Sequence, residues 1–275
     1  MTGKLYLVGT PIGNLEDMTF RAINTLKTVD LIAAEDTRHT GKLLQHYEIK
    51  TPQISYHDHN RKHREPELIK SLQQGKNIAL VSDAGMPAIS DPGYDLVKAC
   101  VEANIAVIPI PGVTASITAL AVSGLPTNRF VFEGFLPVKG KAREERLNAI
   151  KSETRTIILY ESPHKLKQTL QDLGQYLGEE RWLMLGRELT KRYEEFLHLS
   201  LKEAIGIYQN QEPKGEYTIV ISGTEKSDNL NIEEIKTELK ELLAQGVTRS
   251  QASRQLAKIS SLSRQEIYQL SMELD

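Results

Sequence analysis

Leu80-Val81-Ser82-Asp83-Ala84-Gly85-Met86-Pro87-Ala88-Ile89-Ser90-Asp91-Pro92-Gly93 is an apolar strand that runs into a loop of small residues. The strand ends at Ser82, and Asp91-Pro92 reads as an N-cap with proline at the first helical position. So few side chains let a ligand lie against bare backbone, at the carboxyl end of a strand where open α/β sheets bind ligands. A tight strand-to-helix turn gives the same local pattern. Repetition favours the ligand, because Gly9-Thr10-Pro11-Ile12-Gly13-Asn14 and Pro111-Gly112-Val113-Thr114-Ala115-Ser116 end other strands of the same half.

Around this loop the first 125 residues alternate strand and helix. Strands are expected at Leu5–Val8, Leu31–Ala34, Ile54–Tyr56, Ile78–Val81 and Ile105–Ile110. Helices are expected at Thr19–Lys27, Tyr94–Ala103 and Thr114–Val122. Short apolar strands between helices predict a buried, mostly parallel sheet with helices on both faces. Gly124-Leu125-Pro126-Thr127-Asn128 then links to a second α/β unit, residues 126–226. Its strands are read at Phe130–Phe132, Thr156–Tyr160, Trp182–Leu185 and Tyr217–Ile221, with a helix opened by Ser162-Pro163. Tyr193–His198 adds an antiparallel strand and makes that sheet mixed.

Residues 227–275 change character, to a polar linker from Ser227 and then helices. Ile232, Ile235, Leu239, Leu242 and Leu243 fall on one helical face. Thr248-Arg249-Ser250-Gln251 and Ser263-Arg264-Gln265-Glu266 match the capping box, so two short helices follow. Arg249, Arg254, Lys258 and Arg264 lie there without a nearby acid. That resembles a helix-turn-helix unit on a phosphate backbone, or equally a packing appendage with a solvated basic face.

Composition narrows the class. The 275 residues, 40% hydrophobic and 25% charged, suffice for two domains with their own cores. No apolar run approaches the ~20 residues that span a bilayer, and no secretory leader is read, so a cytoplasmic, non-membrane location is expected. A single cysteine, Cys100, excludes a disulfide framework and cysteine-rich zinc sites. A net charge of −2 leaves room only for local basic patches.

Several side-chain groups carry possible chemistry. Gly9–Asn14 has neither the G-x-G-x-x-G spacing of dinucleotide sites nor the Gly-Lys-Ser/Thr of phosphate loops, so NAD and ATP are poorly supported. Glu35-Asp36 at a strand end can supply a general base, with helix capping by Asp36 or Thr37 as the plainer explanation. His57-Asp58-His59 has metal-ligand spacing, with Asp83 the candidate partner. The neighbouring Arg61, Lys62 and Arg64 make a loop for an anionic substrate the simpler reading. Lys139, Lys141, Arg143 and Arg146 form a second basic cluster, read as a loop.

Taken in order, these segments resemble the tetrapyrrole-methylase superfamily, and within it the bacterial small-subunit ribosomal RNA 2′-O-ribose cytidine methyltransferases. The residues that carry the likeness are Gly9–Leu15, Ala34–Arg38, Ser55–Asn60, Ser82–Pro87 and Pro111–Ala115, then Leu159–His164, Gly186–Thr190 and Lys214–Thr218. Where the superfamily commonly has Ser-Gly-Asp-Pro after the fourth strand, Met86 replaces the aspartate, which argues against a porphyrinoid-modifying enzyme.

The resemblance implies a cleft between two α/β domains that binds S-adenosyl-L-methionine. Pro11, Ala84, Gly85, Met86, Ile89, Ser90, Thr114 and Ala115 would lie on one side, with Tyr160, Glu161, Leu189 and Tyr217 closing it. Glu35 or Asp36 would take the hydroxyl proton. No metal is required for this chemistry. Small-subunit ribosomal RNA, free or in the assembled subunit, would meet Arg38, His57, His59, Arg61, Lys139, Lys141, Arg143, Arg249, Arg254, Lys258 and Arg264. A homodimer is the usual state of the superfamily. A tetrapyrrole methyltransferase, a metal hydrolase on His57, His59 and Asp83, and a non-catalytic RNA-binding module are the alternatives.

Overall fold

The computed structural model describes residues 2–224, 232–257, 260 and 262–274. In chain order the first part is β1 (Lys4–Val8), α1 (Phe20–Thr28), β2 (Leu31–Ala34), α2 (Thr37–His46), β3 (Gln53–Ser55) and α3 (Arg61–Gln73). Then come β4 (Ile78–Val81), α4 (Tyr94–Glu102), β5 (Ala106–Ile110) and α5 (Ala115–Val122). The strands pair in the order β3-β2-β4-β1-β5, every pair parallel.

Strand period decides which helices cover which face. Val8, Ile32, Ala34, Ala79 and Val81 share a core with Ala22 and Leu26 of α1 and Leu43 and Leu44 of α2. Their neighbours Leu5, Ala33, Ile78 and Leu80 point the other way, to Leu68 and Leu72 of α3 and Leu96 and Cys100 of α4. A sheet apolar on both faces must be covered twice, and burying each Leu, Ile or Val side chain stabilises by roughly 1.5–3 kcal/mol. β1 and β4 are neighbours, so the loops after them lie side by side.

The second part is β6 (Phe130–Phe135), α6 (Lys141–Lys151), β7 (Thr156–Glu161), α7 (Pro163–Leu177) and β8 (Trp182–Arg187), followed by β9 (Glu195–Ser200), α8 (Leu201–Asn210) and β10 (Tyr217–Ile221). Their order is β6-β7-β10-β8-β9, parallel at β6–β7 and antiparallel elsewhere. One face, with Ile158, Met184 and Val220, packs on Ala119 and Leu120 of α5. The opposite face carries Ile157, Leu185 and Ile219 into a core with Leu147 of α6, Leu166 and Leu170 of α7 and Ala204 of α8. α5 thus follows the first sheet and covers the second with Ala119 and Leu120, leaving Ile117 and Val122 exposed.

By contact density both sheets fall in one compact unit, comprising the described residues up to Ile150 together with Arg155–Ser222. A second unit takes Lys151–Thr154 and the described residues from Gly223 onward. It holds α9 (Ile232–Ala244), α10 (Arg249–Leu256) and α11 (Arg264–Met272) around Ile235, Leu239, Ala252, Leu256 and Ile267. Both capping boxes form, Thr248 with Gln251 and Ser263 with Glu266. Lys258 and the start of the linker at Ser227 lie outside the described residues.

Four expectations need correction. Asp91 is not an N-cap: Gly93, at φ 143°, takes that position for α4. The basic stretch from Arg61 is a helix rather than a loop, because Leu68 and Leu72, one turn apart, anchor it to the sheet. The cluster from Lys141 is also helical, with Arg143, Leu147 and Ile150 on its buried side. Arg143 consequently points inward. Its Nε donates to Asp172 at 2.7 Å, and its terminal nitrogens donate to Pro137 O and Thr169 Oγ1, each at 2.9 Å. A guanidinium so engaged is not available to RNA.

Candidate active site

The loops after β1, β4 and β5 converge. Thr10 and Gly85 exchange backbone hydrogen bonds of 2.9 and 3.0 Å, joining the first two. Gly9 meets the third so closely that a Cβ there would lie 2.7 Å from Gly112 Cα. That approach does not survive a side chain at Gly9, which is why glycine stands there.

Beside this junction is a cavity of about 260 Å³. Ala84, Gly85, Met86, Ile89, Ser90, Thr114 and Ala115 line it from the first sheet, and Tyr160, Glu161, Leu189 and Tyr217 from the second. The structure thus brings together all but one of the expected cleft residues. Pro11 instead lines an adjoining cavity of about 560 Å³, with Thr10, His39, Lys42 and Asp83. Ile12, Ala84, Lys191 and Glu216 belong to both.

The second-sheet wall is locked by hydrogen bonds. Glu161 is buried, and its carboxylate accepts from Ser162 N–H at 2.7 Å and from the Thr169 hydroxyl at 2.6 Å. Thr169 in turn accepts from Arg143, so the inward arginine braces the wall from behind. The Tyr160 hydroxyl accepts from Ser116 N–H at 3.0 Å, tying the start of α5 to β7. Lys191 sits between Glu188 and Glu216, 2.8 Å from each.

On the first-sheet side Glu35 and Asp83 meet through each other's strand-end backbone, and only Asp36 among these acids has a cationic partner. Glu35 Oε2 accepts from Asp83 N–H at 3.2 Å, while Asp83 Oδ1 accepts from Asp36 N–H at 3.1 Å. This reciprocal pair straps the end of β2 to the end of β4. Burial, with added repulsion from Asp83, Asp58 and Asp36, pushes the Glu35 carboxyl up. Asp36 is held far below the usual carboxylate range by hydrogen bonds from Arg38. It caps α2 through Arg38 N–H and receives the Arg38 guanidinium at 3.0 and 2.6 Å. Asp36 therefore caps α2 while its carboxylate is held by Arg38.

Asp91 was missed as a site residue. It lines the first cavity, and burial, with repulsion from Glu35 and Asp83, pushes its carboxyl up to about 7. Ile12, Phe135, Ser162, Lys191, Glu216 and Thr218 also line the cavity without having been singled out. Of these, Phe135 is an exposed aromatic at the end of β6, three residues beyond the expected strand end.

The expected RNA contacts scatter. His57 is half-buried, its Nε2 3.3 Å from Asn60 Nδ2, and its ring lies 5.9 Å from that of exposed His59. Arg61 pairs with Asp95 and Asp58, and exposed Lys141 with Glu145. Lys139 and Arg254 are exposed. Arg249 donates to Met272 Sδ at 3.7 Å, and Arg264 to Ser250 Oγ at 2.9 Å. Among the described residues no three His, Cys, Asp or Glu side chains are placed to share a metal ion, and no helix is long and apolar enough to cross a membrane.

Comparison with known proteins gives a consistent picture. The family model described as Tetrapyrrole (Corrin/Porphyrin) Methylases matches residues 4–205. A Synechocystis protein named ribosomal RNA small subunit methyltransferase I is 60% identical over 275 residues, 99% of each chain. A Thermotoga maritima protein of the same name is 50% identical over 223 residues, 81% of this chain and 100% of that one. The solved uroporphyrin-III C-methyltransferase of Thermus thermophilus, complexed with S-adenyl homocysteine, has a TM-score of 0.57 at 18% identity, covering 79% of this chain and 97% of that one. The last likeness is one of fold.

Proposed function

The chain belongs to the ribosomal RNA small subunit methyltransferase I family within the tetrapyrrole methylases, and from this premise we propose that it transfers the methyl group of S-adenosylmethionine to the ribose 2′-hydroxyl of a cytidine in small-subunit ribosomal RNA. The observation that carries the reading is near end-to-end similarity to proteins of that name, at 60% identity. Such an enzyme works wherever small subunits are assembled.

The first cavity suits the methyl donor. Ile12, Met86, Ile89 and Leu189 offer apolar walls for a purine, and the Ala84–Met86 backbone faces the space without bulky side chains. Thr114, Tyr160 and Ser162 supply hydroxyls for the polar parts of the ligand. Bound there, S-adenosylmethionine supplies an electrophilic methyl carbon on a positively charged sulfur. The protein's share of the work is to hold the acceptor hydroxyl in line and to accept its proton. Glu35 lies on neither cavity wall, so its carboxylate acts on that proton through a neighbour.

The adjoining cavity opens the route for RNA, with His39 and Lys42 of α2 on its lining. Exposed Arg38, His59, Lys139, Lys141, Arg254 and Arg264 add positive or polar contacts for phosphates. The test is transfer of tritiated methyl from S-adenosylmethionine to small-subunit RNA, assembled small subunits or a porphyrinoid. Label should enter RNA at a cytidine whose 3′ linkage then resists alkaline cleavage, since that cleavage needs a free 2′-hydroxyl. Label in the porphyrinoid, or on a base, overturns the reading.

A further inference from the structure

We propose that Asp91 is the group that accepts the ribose 2′-hydroxyl proton during methyl transfer, an assignment that rests on the reading above. Three carboxylates line the first cavity: Asp91, Glu161 and Glu216. Two are already engaged. Each Glu161 oxygen already accepts a hydrogen bond, from Ser162 and Thr169, and Glu216 is paired with Lys191. Among the described residues no cation is paired with Asp91, and the Ser82 side chain lies beside it.

The loop that carries Asp91 is built to present it. Ala88 N–H donates to Pro92 O at 3.3 Å, closing the loop on itself. Ala88 and Ser90 take φ of 71° and 64°, values that side-chain-bearing residues rarely adopt. Strain of this kind collects where a side chain must be held for function. The groups facing Asp91 from other elements are acidic: Glu35 at the end of β2 and Asp83 after β4. Across the cavity stand Glu161, Glu216 and Lys191. With burial, the two nearby acids keep the Asp91 carboxyl basic, with its midpoint near 7.

The balance of the step is simple. The ribose oxygen forms the new bond to the methyl carbon, and the carbon–sulfur bond breaks with its electron pair left on sulfur. The hydroxyl proton passes to Asp91 and from there to water. Glu35 and Asp83 are positioning residues, acting on the proton through Asp91.

The experiment compares wild type, Asp91→Asn and Asp91→Glu by calorimetry with S-adenosylmethionine and by single-turnover transfer to small-subunit RNA across pH. Asp91→Asn should lose roughly 10²-fold or more in rate while its affinity for the methyl donor stays within about threefold. Wild-type rate should rise with pH and level off above about 7, a limb that Asp91→Asn loses and Asp91→Glu partly keeps. An unchanged rate in Asp91→Asn overturns the assignment. So does a loss of donor affinity that matches the loss of rate, which would make Asp91 a donor-binding group. Wild type that binds the donor yet labels no RNA refutes the parent reading instead.

Discussion

The two sheets that supply the walls of the first cavity hold their acids differently. On the second-sheet side four carboxylates have a counter-charge or donors: Glu161 with Ser162 and Thr169, Glu216 and Glu188 with Lys191, Asp172 with Arg143. On the first sheet Glu35, Asp83 and Asp91 crowd the strand ends, and a strained loop carries one of them. The satisfied wall supports the fold. The other wall keeps acids close together at a cost in stability, and that cost is what keeps a carboxylate basic enough to take a proton. Mutations on the two walls should therefore change stability with opposite signs.

The largest effect belongs to the satisfied wall. Arg143→Ala should destabilise the fold by about 3–5 kcal/mol, because Asp172 is left largely buried without its partner. Urea unfolding measures this. Replacing Arg143 by Met and Asp172 by Leu together should recover most of the loss, and a single-variant cost below about 1 kcal/mol would show that the bracing is idle.

That arginine also shows where the sequence was readable and where it was not. Both sheets were legible because their strands are short apolar runs between helices, and the capped C-terminal helices because their boxes are local. Strand ends near Tyr56, Phe132 and Leu185 shifted by one to three residues. In α6 the signal was present but misread: Arg143, Leu147 and Ile150 are spaced four and three apart, a buried helical stripe in which the arginine takes an apolar place. The charge-rich start of α3 hid a helix anchored by only Leu68 and Leu72 among its fully buried residues. Asp91 could not be found by motif, since Asp-Pro is a good helix start and only the fold shows that Gly93 takes the cap. The small-residue loops end strands and line the first cavity, whereas Pro11 lines only the adjoining one.

The opposite sign is expected at Asp91. Folding raises its pKa from the ordinary 3.8 to about 7, so the folded chain holds the proton more tightly than the unfolded chain does. Stability from this group is present at low pH and is lost as pH rises through that window. Asp91→Asn should thus melt about 2–4 °C higher than wild type at pH 8, with a much smaller gain near pH 5. A lower melting temperature at pH 8 would break the contrast between the walls.

A smaller change follows at Glu35. Its charge helps to raise Asp91, so Glu35→Gln should move the midpoint of the pH–rate curve downward while changing the rate at pH 8 by less than about tenfold. A collapse of the rate at every pH would make Glu35 itself the acceptor. The mildest effects belong to the helical unit, which carries none of the residues that line either cavity. Arg254→Gln with Arg264→Gln should leave donor affinity alone and reduce the salt slope of RNA binding by about 1 for each phosphate no longer neutralised. An unchanged slope would assign these helices to packing.

The central claim is that the cavity between the two unlike walls seats the methyl donor. Ala84 is exposed on its lining, so an arginine there fills the space without disturbing a core. Calorimetry with S-adenosylmethionine on wild type and on folded Ala84→Arg tests the claim. Binding by wild type and a loss of roughly 10²-fold or more in the variant is the predicted result. Equal affinity in the two proteins would place the donor elsewhere and contradict the account.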